Sequence, residues 1–164
     1  MCLRPFWNSD NNETVGENIE KDKSLHSLQE EQLRSIFGGR LRDIPITTTS
    51  YENKNKSGKT DISILFENKL LFVIECKCGT SKQLVKESLE QLLSYLTEKE
   101  LHCSLIFFNK TKTVTKQKFY SLLSETLKEN FEIQDEKNNG DFLQFTINHD
   151  DVLRKLYVFS FTLR

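Results

Sequence analysis

The chain has 164 residues, 37% hydrophobic and 29% charged, and its 23 basic and 24 acidic residues give a net charge of −1. This length fits one domain with a substantial core, and the near-neutral charge excludes a protein that attracts nucleic acid through its overall field alone. No apolar run approaches the ~20 residues needed to cross a membrane, and the N-terminal residues lack a signal peptide's apolar segment, so the sequence predicts a cytoplasmic protein that does not enter a membrane.

The N-terminal residues 1–23 are polar, with scattered acidic side chains and asparagines. Such a composition cannot bury enough apolar surface to order a segment, so it predicts a flexible tail. The remaining residues, 24–164, carry the apolar periodicity of a folded domain. The four cysteines lack the paired spacing of a zinc site and are interpreted as buried or idle thiols.

A first helix is expected from Ser24 or Ser27 to Phe37, because Ser27 and Glu30 have the spacing of a capping box. Glu30 and Glu31 fall away from the apolar stripe of this helix. We therefore expect both carboxylates to be solvated or to cap the helix. A β-rich run at 44–51 follows and predicts the first strand.

Residues 61–77 predict a β-hairpin, since two apolar runs flank a polar break at 67–69. Side chains alternate along a strand, so Glu75 and Lys77 project from the same face, about 7 Å apart. Antiparallel pairing brings Asp61, at the start of the first strand, near the end of the second. Two carboxylates and an amine on one patch suit a hard divalent cation, with the lysine available for proton transfer or charge stabilisation.

A helix is expected next, from a cap at Thr80-Ser81 to about Glu98, with Gln91 and Tyr95 four residues apart on one face. The continuous apolar run 103–108 predicts a central strand buried on both faces. Because a helix joins it to the strand that ends at Lys77, the two strands are expected to be parallel.

The remaining residues predict a second amphipathic helix and three strands that extend the sheet or form an addition at its edge. His149, beside two acids, is expected to cap a short helical link because no second ligand group lies at suitable spacing. The helix is expected at 115–130, the strands at 131–133, 143–147 and 156–163, and a tight turn at 138–140.

Two basic clusters flank the predicted hairpin and the central strand. They are either ordinary solvated loops or, if the carboxylate patch lies at one edge of the sheet, groups that bind phosphates beside it. The clusters are Lys54, Lys56 and Lys59, and then Lys110, Lys112, Lys116 and Lys118.

Asp61, thirteen intervening residues and then Glu75-Cys76-Lys77 resemble the motif of the PD-(D/E)xK nuclease superfamily. A bacterial subgroup of that superfamily is similar over about residues 25–163. The resemblance implies a single-domain α/β protein with the restriction-endonuclease-like fold, a mixed β-sheet flanked by helices. The matching motifs are Gly58-Lys-Thr-Asp-Ile62, Glu75-Cys-Lys77, Gln91-Leu-Leu-Ser-Tyr-Leu96 and Phe107-Phe-Asn109.

The resemblance also implies roles in a Mg²⁺- or Mn²⁺-dependent site. Asp61 and Glu75 would bind the metal, with the backbone carbonyl of Cys76 as a further ligand. Lys77 would orient or deprotonate the attacking water and offset charge in the transition state. Glu52 stands where the subgroup has an acid, and is either an extra ligand or a solvated loop residue.

Gln91 and Tyr95 resemble the Q-x-x-x-Y pair of RecB-like nucleases in the same superfamily. There the glutamine lies near the active site and the tyrosine helps position the substrate backbone. For this chain the resemblance implies that Gln91 positions the water or Lys77, and that Tyr95 contacts nucleic acid. The alternative is a packed tyrosine beside a solvated glutamine.

The resemblance therefore implies a metal-dependent nuclease, with DNA as the expected substrate, that is either a stand-alone enzyme or the effector of a bacterial antiviral defence system. Two alternatives remain on the same fold, namely a nucleic-acid-binding module that does not cleave and a domain that acts through a partner subunit. DNA is the expected partner, with a homodimer or a partner subunit needed to hold a duplex. The choice between DNA and RNA, the strandedness, the mode of cleavage, the sequence specificity and any activating signal stay open.

Overall fold

The computed structural model describes residues 18–42, 48–51, 54–55, 58–59, 61–66 and 69–163. The helices described from end to end are α1 (Glu30–Arg42), α2 (Lys82–Tyr95) and α3 (Lys116–Asn130). Residues 18–21 are also helical, and a 3₁₀ turn at Lys23–Leu25 precedes α1. The strands are β1 (Thr48–Tyr51), β2 (Lys54–Asn55), β3 (Gly58–Lys59), β4 (Ile62–Phe66), β5 (Lys69–Cys78), β6 (His102–Asn109), β7 (Ile133–Asn138), β8 (Phe142–His149) and β9 (Val152–Thr162).

Seven of these strands form one mixed sheet in the order β1-β4-β5-β6-β9-β8-β7, and β2 and β3 pair separately as a short ribbon. β5, β6 and β9 are parallel to one another, whereas the flanking pairs are antiparallel. The predicted hairpin is confirmed as β4 and β5, and the predicted parallel pairing of β5 with β6 is also confirmed. The fold is α/β, a mixed sheet flanked by helices.

The two faces of the sheet carry separate cores. On one face α2 and α3 pack on residues that include Val73 of β5. On the opposite face α1 packs on residues that include Ile74 and Cys76. Because side chains alternate along β5, Glu75 and Lys77 share the face of Val73, the face that α2 covers. The predicted burial of the central strand on both faces is confirmed, since residues 103–109 are all buried.

The first helix begins and ends later than predicted. The backbone N–H of Gln29 donates to the side chain of Gln32 at 2.9 Å, so a glutamine three residues on caps the start of α1 in place of the expected Ser27 box. The helix then continues through Gly38 and Gly39. Burying Phe37 and Leu41, which are 0% and 2% exposed, offsets the roughly 1 kcal/mol that each interior glycine costs.

Residues 18–23 are packed against the domain, although their composition predicts a tail. Ile19 is fully buried in the α1 core. The Glu20 carboxylate accepts a hydrogen bond at 2.7 Å from the backbone of Thr162, at the end of β9. The packed part of the chain therefore begins at or before residue 18, and residues 1–17 lie outside the described residues.

Several other boundaries are confirmed or corrected. Ser81 caps α2 as the sequence predicts, but α2 ends at Tyr95 rather than at Glu98. Thr115, expected as the first residue of α3, is instead its N-cap. The strand predicted at 131–133 is wrong, because β7 starts at Ile133 and continues to Asn138.

The helical link predicted after His149 is also wrong. Asp150 and Asp151 have φ of 53° and 59°, the backbone of a two-residue hairpin turn, and β9 begins at Val152. His149 is therefore the last residue of β8 and caps no helix. Within the described residues, no helix has the length and apolar character needed to span a membrane.

Candidate active site

Asp61 lies where the pairing between β4 and β5 stops. Among the described residues the ladder begins with Ile62 opposite Ile74, and the backbone N–H of Cys76 lies beyond its end. The Oδ2 of the Asp61 carboxylate accepts a hydrogen bond from this N–H at 2.8 Å, in the position where a strand carbonyl would otherwise accept it. The N–H and C=O of one strand residue point to the same side, so the Cys76 carbonyl also faces the Asp61 side of β5.

Glu30 makes the same kind of contact with β5 two residues after Cys76. Its Oε2 accepts from the backbone N–H of Cys78 at 2.7 Å. The expectation that Glu30 is solvated or caps its own helix is therefore wrong, because α1 rests on the sheet and its first turn reaches the free edge of β5. Glu31 does extend into solvent, with a side chain 84% exposed.

Glu75 and Lys77 form a buried ion pair on the face covered by α2. Glu75 is fully buried, and its Oε1 lies 2.7 Å from Lys77 Nζ. Its Oε2 has no hydrogen-bond partner among the described residues. A buried carboxylate oxygen without a donor costs on the order of 1–3 kcal/mol, so its retention calls for an explanation beyond folding.

The surroundings set the protonation of this pair. Burial, and secondly the negative charge of Asp61, raise the pKa of Glu75 to about 7, although Lys77 opposes the shift. Burial alone would lower the pKa of Lys77, but the hydrogen bond and charge of Glu75 outweigh it, so the pKa of Lys77 is raised above its usual value. Lys77 is therefore a stable cation at neutral pH, whereas Glu75 sits near its titration midpoint.

Arg34 is a residue of the site that sequence reasoning missed. Its Nη1 lies 2.6 Å from Asp61 Oδ1, so α1 is tied to the start of β4 by a charge-assisted hydrogen bond. Arg34 and Glu30 are four residues apart and share a face of α1. That spacing, one helical turn beyond Glu30, is the only sequence signal that could have identified Arg34.

Gln91 and Tyr95 lie on α2 and contact each other. The Gln91 side-chain amide donates to the Tyr95 hydroxyl at 2.7 Å, and Tyr95 is buried. The expectation that they share a helix face is confirmed. The roles implied for them, positioning water or Lys77 and contacting nucleic acid, stay predictions.

The basic residues occupy different environments. The backbones of Lys54 and Lys59 pair across the β2–β3 ribbon, and β3 lies against α2, the helix that covers Glu75 and Lys77. Lys110 donates to the carbonyl of Leu28, just before α1, whereas Lys112 is exposed. Lys56 and Glu52 lie outside the described residues.

The residues present fit a hard divalent cation. In the part of the chain that the structure describes, no group of three or more His, Cys, Asp or Glu side chains has the arrangement of a metal site. The Asp61 carboxylate nevertheless contacts the backbone of Cys76, and the neighbouring Glu75 has an Oε2 that is buried without a donor among the described residues. Oxygen ligands of this kind suit Mg²⁺ or Mn²⁺ better than softer metals.

The chain matches no protein-family model, and no curated protein matches it either. Any functional conclusion therefore depends on the geometry of the site and on the motif resemblance.

Proposed function

We propose that the chain is a metal-dependent nuclease of the PD-(D/E)xK type that hydrolyses phosphodiester bonds in DNA. The observation that carries the proposal is the fully buried Glu75, whose Oε2 has no hydrogen-bond partner among the described residues, beside Lys77 and near Asp61. A purely structural ion pair would be expected to satisfy both oxygens. A ligand position for a cation accounts for the unmet oxygen.

The order of elements supports the finer part of the proposal, a restriction-endonuclease-like fold. A helix precedes three strands paired as an antiparallel meander, β1, β4 and β5, and α2 then leads to the parallel strand β6. The acid at the start of β4 and the Glu-x-Lys near the end of β5 stand on neighbouring strands. This arrangement agrees with the core that the motif resemblance implies.

In the proposed mechanism, Asp61, Glu75 and the Cys76 carbonyl hold the metal. When bound, a divalent cation lowers the pKa of a water molecule and neutralises charge on the scissile phosphate. Lys77 acts as a cation that orients the attacking water and stabilises the negative charge developing on the phosphate. The raised pKa of Lys77 favours this role over that of a general base, because the amine keeps its proton at neutral pH.

Gln91 and Tyr95 extend the proposed site along α2. The Gln91 amide is held by the Tyr95 hydroxyl, so its orientation is fixed before a substrate arrives. In the proposal this amide positions the water or Lys77, and the ribbon lysines Lys54 and Lys59 contact the phosphate backbone.

One observation favours the alternative function, DNA binding without cleavage. Both oxygens of Asp61 already have partners, Arg34 on Oδ1 and the Cys76 N–H on Oδ2. A site that never holds a metal would keep its aspartate paired in this way. Cleavage and metal binding therefore have to be measured separately.

The test is incubation of purified protein with supercoiled plasmid and with single-stranded DNA, in Mg²⁺, in Mn²⁺ and in EDTA. We expect cleavage that needs the metal and is lost in Lys77→Ala. Lys86→Ala is the matched control, since it removes the same charge from an exposed position on α2. Binding of DNA with no cleavage under any metal condition would support the alternative, and equal cleavage by Lys77→Ala and Lys86→Ala would contradict the mechanism.

A further inference from the structure

Arg34 occupies the charge position that a cation bound to Asp61 would take. Its guanidinium Nη1 lies 2.6 Å from Asp61 Oδ1, and the Cys76 N–H holds Oδ2 at 2.8 Å. A carboxylate has lone pairs to spare, so geometry alone does not prevent a further ligand. The obstacle is electrostatic, because a fixed positive charge beside Oδ1 repels a divalent cation on the same carboxylate.

Carboxylates outnumber cations among the described side chains around this part of β5. Two cations, Arg34 and Lys77, lie among four carboxylates, and Glu31 Oε1 is 3.9 Å from Arg34 Nη2. The other three carboxylates are Glu30, Asp61 and Glu75. Removal of Arg34 makes this group one charge more negative, which favours binding of a divalent cation.

Arg34 is also placed to leave Asp61. Its side chain is 22% exposed, so solvent and ligands reach it, whereas the partner carboxylate is 11% exposed. A guanidinium is always charged, and its planar donors match the oxygens of a phosphate. A phosphodiester arriving at the site would therefore offer Arg34 an anionic partner besides Asp61 and Glu31.

We propose that Arg34 is a positioning residue that couples cation binding to nucleic-acid binding, by holding Asp61 in the free protein and moving to a backbone phosphate when DNA binds. This inference rests on the proposed function, because it assumes that Asp61 is a metal ligand. It predicts that the free protein binds divalent cations weakly and that DNA raises this affinity. Since binding couplings are reciprocal, the cation raises the DNA affinity by the same factor.

A purely structural role makes a different prediction. If the Arg34–Asp61 pair only ties α1 to β4, its loss lowers the thermal stability and leaves the ligand affinities unchanged. Ligand affinity, rather than stability or cleavage, is therefore the decisive readout. Arg40→Gln is the matched control, because Arg40 lies on the same helix, is 31% exposed and pairs with Asp22 at 3.8 Å.

The first measurement is calorimetric titration of Ca²⁺ into the protein without DNA. Ca²⁺ shares the preference of Mg²⁺ for oxygen ligands, and we use it to separate binding from cleavage. We expect Arg34→Gln to bind Ca²⁺ about tenfold more tightly than the wild type, within the usual range of coupling between sites. Equal affinities in Arg34→Gln and Arg40→Gln would overturn the proposal.

The second measurement is fluorescence anisotropy of labelled single- and double-stranded oligonucleotides, in Ca²⁺ and in EDTA. We expect Ca²⁺ to raise the DNA affinity of the wild type, and we expect this enhancement to fall by about tenfold in Arg34→Gln. An unchanged enhancement would contradict the coupling. If Arg34→Gln does not fold, Arg34→Lys keeps the charge without the planar fork, and we expect an enhancement between the two.

These readouts separate the inference from the proposed function. If the wild type cleaves DNA but Arg34→Gln binds Ca²⁺ no more tightly than Arg40→Gln, the coupling is wrong and the nuclease stands. If the wild type does not cleave but shows the Arg34-dependent enhancement, the nuclease is wrong and the coupling stands.

Discussion

Arg154 and Glu75 are both charged side chains buried within the same sheet, at 2% and 0% exposure, and they are treated in opposite ways. The Arg154 guanidinium donates to the backbone carbonyls of His149 and Val152 at 2.5 and 3.3 Å, and to that of Thr97 at 3.1 Å. Glu75 has the Lys77 contact and an Oε2 without a donor among the described residues. The Arg154 guanidinium thus stabilises the fold through three hydrogen bonds, whereas Glu75 Oε2 makes none with the described residues.

The difference separates a buried charge that stabilises the fold, Arg154, from one to which the proposed function assigns a chemical role, Glu75. Arg154 joins the β8–β9 turn to the loop after α2, because backbone carbonyl oxygens of both segments accept hydrogen bonds from its guanidinium. Only its Nε lacks a partner. Glu75 stands at the opposite side of the parallel strands, where Asp61 and Glu30 cap an unpaired edge. The proposed function accordingly assigns the chemistry to Glu75 and gives Arg154 a structural role.

The largest expected effect concerns the unsatisfied carboxylate. Glu75→Gln keeps the side-chain volume but removes the charge, so we expect metal-dependent plasmid cleavage to fall by about 10³-fold or more. The free energy of unfolding, measured by urea titration in EDTA, is expected not to decrease. Full activity in this variant would remove Glu75 from the mechanism. Asp61→Asn is expected to behave similarly in cleavage.

The opposite outcome is expected for the other buried charge. Arg154→Met leaves three part-buried backbone carbonyls without the donor they have in the wild type, so we expect the free energy of unfolding to fall by about 4 kcal/mol. Cleavage per folded molecule should be retained. The control is Lys137→Met, which removes a charge from β7 at a side chain 62% exposed. A stability equal to that of the control would contradict the structural role of Arg154.

The pH dependence of stability sharpens the comparison further. The folded-state pKa of Glu75 is raised from 4.5 to about 7, so between these values the native state holds a proton that the unfolded state has lost. The free energy of unfolding of the wild type, relative to Glu75→Gln, should therefore fall as pH rises from 4.5 to 7 and then level off. The change is on the order of 3 kcal/mol. Urea titrations in EDTA across this range measure it, and a flat difference would contradict the shift.

The smallest expected effect involves the pair on α2. Tyr95→Phe removes the hydroxyl that accepts from the Gln91 amide, so we expect cleavage to fall by about tenfold or less and stability by about 1 kcal/mol. Gln91→Ala should lower cleavage at least as much if its amide positions the water or Lys77. Wild-type kinetics in both variants would leave the two residues as packing on α2.

The parts of the fold that depend on local pattern could be predicted from the sequence. Alternation across residues 61–77 gave the hairpin, and with it the convergence of Asp61 with the Glu75–Lys77 face. The serine cap indicated the start of α2, and the amphipathic pattern over 115–130 indicated α3. Each of these depends on contacts between residues close in sequence or on a single strand period.

The rest depends on how distant elements pack. Glu30 and Arg34 belong to the site only because α1 lies on the sheet with its first turns against the free edge of β5, and no local periodicity encodes that placement. The continuation of α1 through Gly38-Gly39 has the same cause, since the burial of Leu41 outweighs a local stop signal. The turn at Asp150-Asp151 was missed because acids beside a histidine suggested a cap, whereas aspartate also tolerates the left-handed backbone of a hairpin turn.

The placement of β9 has a consequence for how the chain assembles during translation. β9 is the last strand along the chain, yet it lies between β6 and β8, and its partner in β6 is about fifty residues earlier, His102 opposite Lys155. Until residues 152–162 leave the ribosome, β6 presents an uncovered edge of apolar strand, the kind of surface that recruits other chains. Parallel pairing over such a separation is slow to form, so the nascent protein would be most exposed to aggregation shortly before its sheet closes.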